Sequence, residues 1–296
     1  MKISPVRKYL REDRLPTIFC PGCGIGMIIN ATITAHSYLH VSSGYPSIDV
    51  DEEELTLSLR RYGDISRASQ HVSIETLYTG FITIGGRPVI PGSSIKGNVR
   101  ARLELSFRAR NGRVRACFAR ATPPLRVKPK RGEHGWRHYA VWGNVLSEDR
   151  GLPCDLTRNS RVCMLCDLFG AAGLRGLICF GDFVGDNVKL ERLDLEHGMK
   201  ILAAKPGSKF KGKITFMNLK PEELGLLLFG MGITNSRTGR KLLLGRLKYR
   251  HKVDDLEFGV VTYSLDSLEI SHLSEGLFDF SPGERISGDE LDSLIR

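Results

Sequence analysis

The stretch Pro88–Arg100, PVIPGSSIKGNVR, connects the end of a predicted strand to the start of a predicted helix. Pro91 and Gly92 are typical of a tight turn, because proline fixes its φ angle and glycine tolerates conformations that other residues avoid. The hydroxyl of Ser93 or Ser94 can accept a hydrogen bond from a free N–H of the first helical turn. The sequence therefore predicts a helix that begins at Ser93 or Ser94.

This helix has an apolar side and a basic side. Ile95, Val99 and Leu103 recur at helical spacing and are predicted to face the core, whereas Lys96 and Arg100 lie one turn apart on another face. A helix N-terminus carries free N–H groups and a partial positive charge, so a phosphate can bind there and the two cations would strengthen the attraction. A capped helix with a merely solvated basic face fits the same pattern.

The composition favours a folded protein with an anionic partner. Of 296 residues, 41% are hydrophobic, and 43 Lys and Arg against 33 Asp and Glu give a net charge of +10. The basic N-terminus is not followed by the apolar stretch of a secretory signal, and the longest apolar run, Leu224–Ile233, is too short to span a bilayer. We expect a soluble, cytoplasmic protein without a membrane partner.

The order of predicted elements is strand, strand, helix, strands, helix, strands. This order indicates an α+β fold with an antiparallel sheet and helices on one face, and it suits a ferredoxin-like core better than a doubly wound sheet. Residues 1–28 form an N-terminal extension, residues 29–265 the main domain and residues 266–296 a polar tail that is frayed or ends in a short helix. Two insertions interrupt the domain: residues 45–75, predicted to be mobile with one short helix, and the basic, loop-rich residues 108–166.

Seven cysteines, an odd number, indicate metal ligation in a reducing compartment more than a disulfide framework. Cys154, Cys163 and Cys166 supply a Cys-x2-Cys pair with a third thiol upstream, and a tetrahedral zinc site needs one further ligand. The candidates for that ligand are His134, His138 and, less favourably, Cys117. Unligated thiols are the alternative interpretation. Cys179, inside an apolar strand, is expected in the core.

The segment Ile90–Gly97, IPGSSIKG, followed by Arg100, resembles the signature of the RAMP superfamily, the RNA-binding subunits of CRISPR effector complexes. Three further segments resemble family motifs in the same order: HVSSG at 40–44, CMLCDLFG at 163–170 and GKITFMNLKPEELGLLLFGMG at 212–232. The resemblance covers roughly residues 29–265. It is closest to the backbone subunit of type III complexes, whose copies line up along the guide RNA.

The resemblance implies a ferredoxin-like, RNA-recognition-motif-like core and a role in antiviral defence. The guide-RNA phosphates would be contacted by Ser93, Ser94, Lys96 and Arg100. In a later loop, Arg240 and Arg246 can add backbone contacts, although each charge alone also fits a solvated strand face. The implied partners are single-stranded guide RNA, target RNA, other effector subunits and copies of the chain itself.

A nuclease activity is the second hypothesis. In the related backbone subunits, an acidic residue in the loop after the first strand supports metal-dependent cleavage of target RNA, and that loop here contains Asp49 and Asp51. A carboxylate beside the scissile phosphate can hold a magnesium ion that stabilises the charge of the transition state. Solvating surface carboxylates are the ordinary alternative.

Residues 7–28 resemble a different family, the start of the β subunit of 2-oxoacid:ferredoxin oxidoreductases. There the segment precedes a thiamine diphosphate domain and contributes cysteine to an iron–sulfur cluster. The GDGD-type diphosphate motif does not follow in this sequence, and Cys20 with Cys23 makes only half a metal site. We interpret the segment as a fragment fused to the main domain, with a redox subunit as the third hypothesis.

Overall fold

The computed structural model describes residues 7–12, 24–108, 110–111, 113–117, 130–131, 154–248, 252–274 and 279–296. The strands are β1 (Arg7–Lys8), β2 (Ile25–Ala35), β3 (Ser42–Val50), β4 (Ile74–Phe81), β5 (Thr83–Ile84), β6 (Arg87–Ile90), β7 (Arg113–Val114), β8 (Ile178–Phe180), β9 (Phe183–Asp186), β10 (Leu190–Leu195), β11 (Met199–Ala204), β12 (Lys209–Leu219), β13 (Leu242–Leu243), β14 (Lys252–Val253), β15 (Leu256–Glu257), β16 (Val260–Ile270) and β17 (Arg285–Ser287). The helices are α1 (Glu52–Tyr62), α2 (Ile65–Ala68), α3 (Gly92–Ser106), α4 (Met164–Phe169), α5 (Pro221–Gly230) and α6 (Gly288–Ile295). Short 3-10 turns span Ser69–His71 and Glu196–Gly198.

A large antiparallel sheet forms the centre of the fold. Its strands follow the order β13-β16-β2-β12-β9-β6-β5, with β17 beside β16 and β8 beside β12. Along β12, buried Phe210, Ile214 and Phe216 alternate with exposed residues, because successive strand residues point to opposite faces. One face of the sheet therefore builds the core, and the predicted α+β class with an antiparallel sheet is confirmed.

The helices α3 and α5 cover the core face of this sheet. The chain order β2, α3, β8 with β9, β12, α5 and β16 is the split β-α-β arrangement of ferredoxin-like domains. Ile95, Val99 and Leu103 are fully buried, as the helical spacing predicts. The small Gly230 lets α5 approach α3, since a Cβ built on it would lie 2.8 Å from Val99 and 3.0 Å from Leu103.

The start of α3 differs from the sequence prediction. The helix begins at Gly92, with Pro91 as its N-cap residue and no capping hydroxyl. Instead, Asp182 in the β8–β9 connection accepts the Gly92 N–H at 2.8 Å through its Oδ1. Gly92 is required because its backbone lies against β8: a Cβ atom there would be 2.0 Å from the carbonyl oxygen of Phe180. A distant carboxylate thus replaces the local serine cap.

We predict that Gly92→Ala destabilises the protein by about 1–3 kcal/mol, because the new methyl group collides with the β8 backbone. Gly97→Ala in the same helix is the matched control, since a Cβ there meets nothing within 4 Å. That change should stabilise the protein by about 0.5–1 kcal/mol through helix propensity. Urea unfolding of the two variants measures the difference, and equal midpoints would contradict the contact.

Residues 42–81 form a second layer of strands and helices, in the region where the sequence predicts a mobile insertion at 45–75 with one short helix. Here β3 pairs antiparallel with β4 in a sheet of order β10-β11-β4-β3, and α1 and α2 connect the two strands. Gly44 and Pro46 make β3 look like a loop in the sequence. An irregular register between Ser42 and Pro46 accommodates both residues, so cross-strand pairing overrides the local signal.

The described N-terminal residues are part of the domain. Strand β1 pairs with β7, and β2 already begins at Ile25, inside the segment interpreted as a fused fragment. The guanidinium of Arg11, only 5% exposed, bonds Asp167 of α4 at 2.9 Å and Glu223 of α5 at 2.6 Å. Because an unpaired buried carboxylate is costly, this cation holds two helices and the N-terminal segment together.

The C-terminal residues also pack on the sheet. Strand β17 pairs with β16, and α6 buries Leu291. The short terminal helix of the sequence prediction is therefore present and attached to the core. Within the described residues, no helix is both long and apolar enough to cross a membrane.

Candidate nucleic-acid interface and thiol cluster

The first turn of α3 presents polar groups to solvent. Ser93 is exposed and Ser94 is partly exposed, and neither hydroxyl makes a hydrogen bond with any other described residue. Lys96 is partly exposed one turn further along. Burial lowers the pKa of Lys96 and the nearby Arg100 lowers it further, whereas Cys179 acts in the opposite direction. Two hydroxyls and an ammonium thus remain available to an anion.

Arg100 is separated from this surface, although the sequence groups it with Lys96. Its side chain is 12% exposed, and its Nε donates to Glu104 at 2.8 Å. Its Nη1 donates to the Gly170 carbonyl at 2.7 Å and its Nη2 to the Cys166 sulfur at 3.3 Å. Burial alone would lower the pKa of Arg100, but Cys166 and Glu104 raise it above its ordinary value. Arg100 therefore connects α3 to a cluster of thiols.

The opposite flank of α3 carries a cation that the sequence analysis did not single out. Arg102 donates to the Gly230 carbonyl and to Asn98 Oδ1, both at 2.8 Å. Burial lowers the pKa of Arg102, while the neighbouring Tyr263 raises it. Burial also lowers the pKa of Lys248, and Arg102 lowers it further. The four-residue spacing of Asn98 and Arg102 was the only signal of this pair in the sequence.

Arg240 and Arg246 are exposed beside this flank. The Arg240 guanidinium lies 5.8 Å from the ring centre of Phe229, an aromatic residue of α5 that is 39% exposed. The backbone N–H of Arg246 donates to the His40 carbonyl at 3.0 Å. The structure thus brings the HVSSG segment against the late Leu244–Arg246 loop, two motifs that are far apart in the sequence.

The acidic candidates lie in the β3–α1 region. Asp51 is exposed and caps α1: its Oδ1 accepts the N–H groups of Glu53 at 2.8 Å and Glu54 at 2.9 Å. Asp49 is a residue of β3 opposite Thr76. The Asp51 carboxylate therefore already has a role in starting the helix.

Four buried thiols form the clearest ligand set of the described residues. The sulfur atoms of Cys117, Cys154, Cys163 and Cys166 all lie within 4.8 Å of one another. The Cys117 sulfur is 3.3 Å from that of Cys166 and 3.7 Å from that of Cys163. A tetrahedral ion with Zn–S bonds of about 2.3 Å requires sulfur separations of about 3.8 Å, so the set fits one such ion.

Cys117 is the fourth residue of this cluster. In the sequence analysis it was a less favoured candidate for the fourth ligand than His134 or His138. The other residues considered as ligands lie outside the described residues: His134, His138, Cys20 and Cys23. Cys117 comes from the turn after β7, whereas Cys163 and Cys166 flank the start of α4. Because more than forty residues separate these segments, sequence spacing gave little sign of the pairing.

The environment of the cluster lowers the pKa of Cys154 and Cys166, whereas neighbouring thiols and burial raise the pKa of Cys117 and Cys163. The backbone N–H of Cys117 points to the Cys163 sulfur at 3.4 Å, and the N–H of Cys163 points to the Cys154 sulfur at 3.3 Å. Hydrogen bonds from the neighbouring thiols lower the pKa of Cys166; burial opposes this shift and Arg100 adds to it. Metal ligands must be deprotonated, so an ion such as zinc would supply the positive charge that lets all four thiols become thiolates.

Comparison with known families matches residues 32–289 to the RAMP superfamily. The chain belongs to this superfamily. The matched range contains β2 from its eighth residue onward, α3, the thiols and the loop of Arg240 and Arg246. The RAMP family assignment predicted from the IPGSSIKG segment is therefore confirmed.

Other comparisons give partial or distant similarities. The 2-oxoglutarate synthase subunit KorB of Methanocaldococcus jannaschii is 32% identical over 94 residues, which make up 32% of this chain and 30% of that protein. The KorB subunit of Methanothermobacter marburgensis is 32% identical over 96 residues, 32% of this chain and 29% of its own length. The RAMP chain thus spans less than a third of the length of these curated relatives.

Among solved structures, the Type III-B Cmr-beta complex bound to cognate target RNA contains a similar chain. The similarity covers 83% of this RAMP chain and 61% of that chain, with 14% sequence identity and a TM-score of 0.34.

We predict that Arg100→Met lowers the free energy of unfolding by about 3 kcal/mol, because it leaves the buried Glu104 carboxylate without its cation. Arg246→Met is the matched control: this side chain is exposed, so the same substitution should change stability by less than about 0.5 kcal/mol. Urea unfolding in a common buffer checks both values. Equal stabilities would show that the internal bonds of Arg100 contribute nothing.

Proposed function

We propose that this RAMP protein is a guide-RNA-binding backbone subunit of a type III CRISPR ribonucleoprotein that acts in antiviral defence. The observation that carries the proposal is the start of α3, where the hydroxyls of Ser93 and Ser94 have no hydrogen-bond partner among the described residues and Lys96 lies beside them. The motif that forms this turn resembles the family signature. The net charge of +10 supports a polyanionic ligand.

The RNA backbone runs across the outer side of α3 in this proposal. Gly97 has no side chain and nothing within 4 Å of a built Cβ, so a phosphate can approach the helix closely there. Beyond the helix, Arg240 and Arg246 supply exposed cations for further phosphates. Phe229, with Arg240 over its ring, offers a surface on which one base can stack.

The partners follow from this role. A guide strand held mainly by its phosphates leaves most of its base edges free to pair with target RNA, so both RNAs meet at the protein. A backbone subunit also contacts other effector subunits and further copies of itself. Arg100 has no direct RNA contact in this scheme, because its donors bond Glu104, Gly170 and Cys166.

We further propose that the four thiols hold a structural zinc ion. Zinc prefers tetrahedral thiolate sites, and the four sulfur atoms are buried and mutually close. When bound, the ion supplies a crosslink between the turn after β7, the residue Cys154 and the start of α4. Such a crosslink would stabilise the packing of these three segments.

Cleavage of target RNA is the alternative function, and the same preparation tests it. Incubation of labelled target RNA with the protein and magnesium distinguishes the two roles. Intact RNA that is retained on the protein supports a binding subunit, and shortened RNA supports a nuclease. Because Asp51 caps α1, Asp51→Ala must be compared with a stability measurement before any loss of cleavage is assigned to chemistry.

For RNA binding, Lys96→Ala should weaken the affinity for single-stranded RNA because one phosphate contact is lost. The slope of log K against log salt should fall by about 0.7 for that contact. Lys189→Ala, an exposed residue of the β9–β10 connection, removes the same charge elsewhere and should leave the slope unchanged. A fluorescence binding series in increasing salt, with duplex DNA as competitor, measures both. Identical slopes for the two variants would contradict the assignment of Lys96.

For the metal, purified protein should contain one zinc ion per chain, and a Cys163→Ser, Cys166→Ser variant should lose it. Cys179→Ser is the matched control, because Cys179 is exposed and outside the cluster. Chelation should also lower the melting temperature of the wild type but not that of the double variant. Elemental analysis that finds the same zinc content in both variants would exclude the site.

A further inference from the structure

A cavity of about 700 Å³ lies at one end of the central sheet, apart from the thiols and the outer side of α3. Its floor is one row of side chains that crosses four paired strands: Glu269 of β16, Ile28 of β2, Thr215 of β12 and Cys179 of β8. Residues directly opposite in paired strands share a face of the sheet. The floor therefore belongs to the face that α3 and α5 leave open.

Apolar groups with polar groups at their edges enclose this floor. The segment before β8 provides Arg175 and Leu177, and the segment after β16 provides His272 and Leu273. Met217 is 45% exposed and Leu273 is 61% exposed, although both are large and apolar. Exposed apolar groups that line a cavity with a few polar groups are typical of a ligand site.

Strand β8 connects the cavity to the first turn of α3, the proposed phosphate site. Gly92 packs against the Phe180 backbone, so the first turn of the helix lies along β8. Cys179, the preceding residue of β8, is exposed, whereas the apolar sequence around it predicts a core position. Strand β8 pairs with β12 at the edge of the sheet. At this edge, Lys96 on one face is close enough to the Cys179 thiol on the other face for an electrostatic interaction. A ligand with one anionic and one apolar group can contact both places.

We propose that this cavity receives a nucleobase of the single-stranded RNA whose phosphate is bound at the start of α3. The proposal rests on the proposed function and extends it to a second part of the nucleotide. Single-stranded RNA can turn its bases out of the stack, and such bases are recognised by apolar faces and hydrogen bonds at their edges. Ile28, Met217 and Leu273 provide the apolar contacts.

The floor also predicts a base preference. Among the described residues that line the cavity, Glu269 is the carboxylate, and a carboxylate accepts hydrogen bonds only. Cytosine and adenine present an exocyclic amino group as donor, whereas uracil presents a carbonyl oxygen at the corresponding position. Oligocytidine should therefore bind more tightly than oligouridine of the same length, and Glu269→Gln should reduce this difference.

Alkylation of Cys179 tests the occupancy of the cavity directly. The full-length protein is treated with a maleimide, and the modified Cys179 peptide is quantified by mass spectrometry over time. With oligocytidine at about ten times its Kd, modification should slow roughly ten-fold, because the free fraction of protein falls as 1 + [RNA]/Kd. An abasic oligomer with the same phosphates should bind through the helix but leave the alkylation rate nearly unchanged.

The two proposals fail in different ways in this experiment. If oligocytidine binds with the expected salt dependence and Cys179 reacts at its free rate, the base cavity is wrong and the RNA-binding function stands. Equal protection by the abasic oligomer also overturns the base cavity. If no oligomer binds, both proposals fall.

A pair of substitutions gives an independent readout. Met217→Ala removes an apolar contact from the cavity and should weaken oligocytidine binding several-fold without changing the affinity of the abasic oligomer. Ile84→Ala is the matched control, since Ile84 is 56% exposed on the outer strand β5 and does not line the cavity. The same affinity for oligocytidine in both variants would overturn the proposal.

Discussion

The contact between the backbone of Gly92 and the carbonyl of Phe180 fixes the position of α3, and the polar surfaces of the domain depend on that position. With Gly92 against β8 and its N–H bonded to Asp182, the start of the helix is held against this strand. Its apolar side then covers the core face. Lys96 is brought close enough to interact with Cys179 of β8, a residue that lines the cavity on the open face.

The two flanks of α3 show how burial assigns different roles to similar residues. Arg100 and Lys96 are cations one turn apart, but Arg100 is enclosed by Glu104, the Gly170 carbonyl and the thiols. A guanidinium can satisfy several acceptors in a plane, so it tolerates this enclosed position better than an ammonium group would. The ammonium of Lys96 stays partly in water, where it can meet a phosphate.

Charged groups also join segments that are distant in the sequence. Arg11 bonds carboxylates on α4 and α5, and α4 carries Cys166, which accepts from Arg100. The N-terminal segment, the thiol cluster and the basic helix are therefore neighbours in one buried polar layer. A buried charge is stable only while it keeps its partner. Because Arg11 is the partner of two buried carboxylates, its N-terminal segment is part of the domain.

Local patterns in the sequence were sufficient for the helix α3, its core residues Ile95, Val99 and Leu103, the α+β class and the RAMP family. These features depend on periodicity, turn residues and a contiguous motif, each of which involves residues that are close together in the sequence. The start of α3 at Gly92 was not predictable in this way, because its capping carboxylate belongs to Asp182, ninety residues away.

Tertiary packing decided the remainder. Cys117 joins the thiols, Arg100 turns inward and Cys179 faces a cavity. Each of these positions depends on which strands and helices are neighbours in the fold, and no single segment of the sequence specifies its neighbours. Strand β3 likewise forms although it contains Gly44 and Pro46, which disfavour strands. Pairing with β4 stabilises the strand by more free energy than these two residues cost. The sequence alone determined which groups can bind an anion, a metal or a base, and the fold decided which of them share a surface.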